Sequence, residues 1–142
     1  MFSLYALLGK NSPPMTNASL AIDLNQYFRN ETDFSLKFER LPFAKHDTLA
    51  LRWGSWLVRV SYEEGDHVKA DSATIQAWLG KRSPTDLSTI DRRVRVVFGA
   101  DEDRVYTNQI IYLMDFLREI EDCVVVDPGK RGGVRISVFK AG

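Results

Sequence analysis

The sequence predicts an α+β fold: a mainly antiparallel sheet with its helices packed on one face. Two observations carry that expectation. Residues 34–39, 48–62 and 134–139 alternate apolar and polar side chains at the period of two that marks strands buried on one side only. Between such stretches, apolar residues recur at spacings of three and four, as on an amphipathic helix.

Taken in order, Phe2–Leu8 reads as the first strand. It lacks a basic flank and Gly9-Lys10-Asn11 cuts it short, so it suits neither a signal peptide nor a membrane span. Pro13-Pro14 lie in the loop that ends it. Asn17 or Ser19 is a candidate cap for a helix over 20–29, with Leu20, Leu24, Tyr27 and Phe28 on one face. In 34–39, Phe34, Leu36 and Phe38 face a core while Lys37 and Glu39 face water. Residues 41–47 connect, since Pro42 has no N–H for a sheet ladder. Gly54-Ser55 then sits between two alternating runs and suits a type II′ hairpin. That turn pairs Trp53 with Trp56, Leu51 with Val58 and Leu49 with Val60, all apolar on one face.

Residues 63–67 read as a polar turn, and Asp71 or Ser72 as the cap of a short helix ending at Gly80. Residues 81–91, with Ser83-Pro84, read as a linker. The unit from 94 to 138 follows: a strand, a helix over 106–120 with Ile110, Leu113, Met114, Leu117 and Ile120 on one stripe, a strand over 123–126, a turn-rich loop and a last strand. Strand, helix and strand in close order favour a parallel pair joined by a right-handed crossover. The continuous apolar run Cys123-Val-Val-Val126 marks that strand as central.

Strand–helix–strand–strand thus occurs twice, over 2–62 and 94–139, as an architectural pseudo-repeat. The expected product is a ferredoxin-like sheet forming one domain over 1–142, divisible into halves 1–80 and 92–142 around the linker.

Nineteen basic and nineteen acidic residues cancel, so only a local patch could steer the chain to nucleic acid or membrane. The single cysteine, Cys123, excludes an internal disulfide and fits a reducing cytosol; its apolar flanks predict an inert thiol, not a nucleophile. No phosphate-binding, nucleophile or metal-ligand spacing is present. Asp101 and Asp103 form a weak metal candidate, more simply read as a loop near a helix start. Gly129-Lys-Arg-Gly-Gly133 lacks the spacing of a phosphate loop. His46 and His67 each adjoin an aspartate, but neither has a nucleophile nearby in sequence.

The main signal is distributed. Outward strand positions carry Lys37, Arg52, Arg59, Arg93, Arg95 and Arg135, with Glu39 the one acid among them, which predicts a basic sheet face. Trp53 and Trp56 beside the hairpin tip are candidates for a protein contact. These residues predict a non-enzymatic, cytosolic protein-binding module of inhibitor, immunity or adaptor type, without a cofactor, whose edge strands could also pair two copies. The alternatives are nucleic-acid binding on the basic face, and a small enzyme or ligand binder with a pocket between helices and sheet.

Overall fold

A computed structural model of the chain describes residues 2–129 and, for the backbone alone, 137–140. Its elements are β1 (Phe2–Leu8), α1 (Asn17–Tyr27), β2 (Phe34–Glu39), β3 (Thr48–Trp53), β4 (Trp56–Glu64), α2 (Asp66–Leu79), β5 (Arg92–Phe98), α3 (Thr107–Arg118), β6 (Cys123–Asp127) and β7 (Ser137–Lys140). The strands form one sheet in the order β2-β3-β4-β5-β1-β6-β7, and every pairing is antiparallel.

The hairpin fixes the register of one half of this sheet. Gly54 takes a positive φ of 61°, the conformation that the first position of a type II′ turn demands. Trp53 then opposes Trp56, Leu51 opposes Val58 and Leu49 opposes Val60, as the alternation predicts. The helix expected after Asn17 or Ser19 starts at Asn17 behind Thr16, whose hydroxyl accepts from the Ser19 N–H while Ser19 Oγ accepts from the Thr16 N–H.

Three expectations are corrected. First, β5 and β6 do not pair. Both run antiparallel to β1, which lies between them, so the crossover through α3 steps over one strand. β1 takes that slot because its own run, Leu4-Tyr-Ala-Leu-Leu8, is apolar on both faces. The passage β1–α1–β2 steps over three strands, so the two strand–helix–strand–strand units sit in unequal places.

Second, the helices do not share one face. α1 and α3 bury Leu20, Leu24, Leu113 and Leu117 against Leu4, Leu51, Val58 and Val96. α2 lies on the reverse side, where Ile75, Leu79 and Leu87 cover Leu7, Val124 and Val126. β6 is therefore buried on both sides, which is why its sequence is continuously apolar. Third, α2 begins at Asp66, earlier than the Asp71 or Ser72 cap expected for it. Ser72 is instead buried in the helix, and Asp71 pairs with Arg93. The chain at 81–91 carries the fully buried Leu87 in that second layer.

Candidate functional site

The strand register settles which outward residues share a side. Lys37 neighbours Ala50, which neighbours Arg59, and Arg95 and Arg93 follow on β5 opposite Ser61 and Glu63. Arg52 lies one pair along the same side. Lys37, Arg52, Arg59, Arg93 and Arg95 thus stand together on the reverse of the sheet, the side that α2 partly covers. Arg135 and most of the Gly129–Gly133 loop lie outside the described residues.

This side is not uniformly basic, because Glu39, which the alternation places there, and Glu63 and Asp71, which it does not, neutralise it. Arg59 Nε lies 2.9 Å from Glu39 Oε1. Arg93 is only 3% exposed; its Nε reaches Glu63 at 2.8 Å, its Nη1 reaches Asp71 of α2 at 2.8 Å, and its guanidinium lies 4.4 Å from the centre of the Tyr5 ring. Burial works against the Arg93 charge, but the hydrogen bonds it donates to Asp71 and Glu63 more than offset it and hold the guanidinium above its ordinary value. Arg95 keeps a long 3.9 Å contact to Glu63. Of these five strand cations, Lys37 and Arg52 are exposed with no carboxylate in ion-pair range among the described residues. A patch that small gives nucleic acid little to hold, since affinity there scales with the number of phosphates neutralised.

Trp53 and Trp56 are corrected outright. They are 4% and 5% exposed and pack on each other, on Phe28, Phe34 and Phe98, and on Tyr106, which stacks on Trp56 at 4.5 Å. Neither is available to a partner. Asp101 serves the fold by closing the loop that leads into α3, since its carboxylate accepts the Val105 and Tyr106 N–H groups at 2.9 Å each. Asp103 is an exposed neighbour in that loop, and no group of three metal-ligating side chains exists among the described residues.

Cys123 is inert by geometry. It is buried, and its Sγ–H donates to Leu117 O at 3.1 Å. Burial, then the charge of Asp122, push its thiol from an ordinary 9.0 up to about 11. A thiol raised in the folded state stabilises below pH 9, and that stability is lost as pH rises from 9 to 11. The native protein should therefore leave an aromatic disulfide reagent unreacted at pH 8 and release one thiol equivalent in denaturant. Its unfolding free energy should fall by roughly 2–3 kcal/mol across that alkaline window, a fall that Cys123→Ala removes.

His46 and His67, far apart in the chain, line one cleft of about 810 Å3 together with Arg59, Tyr62, Glu63 and Arg95. Among the described residues no hydrogen bond joins either histidine to a carboxylate. The Tyr62 hydroxyl is pushed above its ordinary value by burial, then by its hydrogen bond to Glu64, so it stays protonated in neutral solution.

The feature that the sequence did not single out is the connector at 40–47. Arg40 Nε meets Asp47 Oδ1 at 3.0 Å and closes its base, while Asn17 Nδ2 donates to Asp47 O at 2.9 Å and ties it to α1. Ala44 N–H donates to Leu41 O at 3.0 Å within the loop. At its tip Phe43 is wholly exposed and holds a φ of +63°. Leu41 and Phe38, at 37% and 53% exposed, are the next exposed apolar residues back along the chain into β2. The signal that could have found it is the pair Leu41 and Phe43 flanking Pro42, too apolar for a mere solvated connector.

No helix among the described residues is long and apolar enough to cross a membrane. Comparison with family models, curated proteins and solved structures returned no match.

Proposed function

We propose that the chain is a non-enzymatic protein-binding module of the reducing cytosol, of inhibitor, immunity or adaptor type, and that it meets its partner with the 40–47 loop and the adjoining edge of β2. The observation that carries the reading is Phe43: a wholly exposed aromatic on left-handed backbone at the tip of a loop pinned at its base. That conformation costs a non-glycine residue about 1–2 kcal/mol, and such strain persists where the surroundings enforce it and function uses it. A partner that buried the ring would gain about 1.5–3 kcal/mol. The order β4-β5-β1-β6, with α1 and α3 on one side, supports a ferredoxin-like unit to which β2 and β3 add a free margin.

Two substitutions test this together. Phe43→Gly relieves the backbone, so the unfolding free energy should rise by about 0.5–1 kcal/mol, while Phe43→Ser leaves it nearly unchanged. A protein captured from cell extract by the unmodified chain should be lost with both variants and kept with Ile22→Ser, a control at another exposed apolar site. Capture indifferent to Phe43, or no capture at all, overturns the reading.

A further inference from the structure

We propose that β2 receives an extended segment of the partner protein as an added strand, and that this segment alternates apolar and acidic side chains. The inference rests on the protein-binding reading above and names the chemistry of its occupant.

The backbone provides the first argument. Among the described residues β2 is the outer strand of the sheet and pairs only with β3. Gly54 N–H donates to Asp33 O at 3.3 Å, next to the two-residue turn that closes Trp53 on Trp56. Backbone groups alternate in direction along an antiparallel pair. In the observed register, therefore, Ser35, Lys37 and Glu39 bond to β3, and Phe34, Leu36 and Phe38 turn their N–H and C=O groups outward. Among the described residues nothing pairs with those outward groups. A bare edge of this kind is a template for strand addition.

The side chains provide the second. On the helix side β2 presents Phe34 and Leu36, half-buried against the core, and then the exposed Phe38. On the reverse side it presents Lys37, with Arg52 of β3 one row away; both are exposed and lack a carboxylate in ion-pair range among the described residues, whereas Glu39 is occupied by Arg59. A strand laid alongside would place its residues alternately beside an apolar row and a positive row. Charge complementarity then selects acids for the second set. The same charges disfavour a second copy of this chain in the register that sets Leu36 opposite Phe38, because Lys37 would then face Lys37, one way an edge lysine blocks self-pairing. Loop 40–47 continues from the end of β2, so Phe43 extends the surface.

Two synthetic peptides of about ten residues, one alternating valine and glutamate and one alternating valine and lysine, provide the test. The acidic peptide should slow amide exchange at Phe34, Leu36 and Phe38 and bind about tenfold more tightly than the basic one. Phe38→Pro, which deletes an outward N–H, should abolish that protection, while Phe38→Val should keep it. Lys37→Glu with Arg52→Glu should reverse the peptide preference without touching the backbone. Equal affinity for the two peptides, absent protection on β2, or protection that survives Phe38→Pro would overturn the inference. If those results came with Phe43-dependent capture intact, the protein-binding reading would stand and the edge assignment alone would fall. Protection on β2 with capture indifferent to Phe43 would separate the two in the opposite sense.

Discussion

Arg93→Ala is expected to lower the unfolding free energy by about 3 kcal/mol, read as a shift in the urea midpoint with little change in slope. The guanidinium is almost fully buried and bridges Glu63 of β4 to Asp71 of α2. Removing it leaves two carboxylates facing each other beside an apolar layer. Glu63 and Asp71 are 22% and 39% exposed, so water relieves part of that penalty and holds the loss near the lower end of the usual range. The variant also loses the contact of the guanidinium with the Tyr5 ring. Arg93→Met combined with Glu63→Gln and Asp71→Asn should recover more than half of the loss, since it restores packing without stranding a charge. A loss below about 1 kcal/mol for the single variant would show that α2 is held by Ile75, Leu79 and Leu87 and not by this bridge.

Phe28→Ala should be the most damaging single truncation on the opposite side, at about 3–5 kcal/mol. The ring is 2% exposed and closes the aromatic cluster where α1 ends, edge-on to Trp53 at 5.0 Å and tilted against Phe34 at 5.3 Å. Phe34 begins the proposed docking strand, so the cavity would loosen β2 as well as α1. Trp53 would report this directly: its near-ultraviolet dichroism should weaken before global unfolding. Retention of that signal with a loss under about 2 kcal/mol would mean that the neighbouring rings collapse into the space.

Where two local constraints agreed, the sequence was readable. The hairpin register followed because Gly54 fixed the turn and the apolar alternation fixed the face, and a one-residue slip would have violated both. The continuous run of β6 also showed correctly as a strand covered on both sides. The same pattern in Leu4–Leu8 held the clue to a second layer, but α2 disguised it: its first turn, Asp66-His67, reads as loop, and Asp71 and Ser72 mimic a helix start. Alternation could place five cations on one side of the sheet; it could not say that Glu63 and a helix bearing Asp71 would meet them there. Leu41 and Phe43 around Pro42 marked the loop as unusually apolar, but that Phe43 is the exposed ring did not follow, because Trp53, Trp56 and Phe43 are all aromatic neighbours of turns and only the packing of α1 and α3 decides which are enclosed.

The position of β1 has a kinetic corollary. The earliest strand in chain order finds its sheet neighbours only in β5 and β6, more than half a chain away. Every hydrogen bond along both of its margins closes a long loop, so the assembly is dominated by distant contacts and should be slow for its size. Until residues 92–127 arrive, an apolar strand with two bare margins remains open to wrong pairing, and a nascent chain of this topology is a natural client for chaperones.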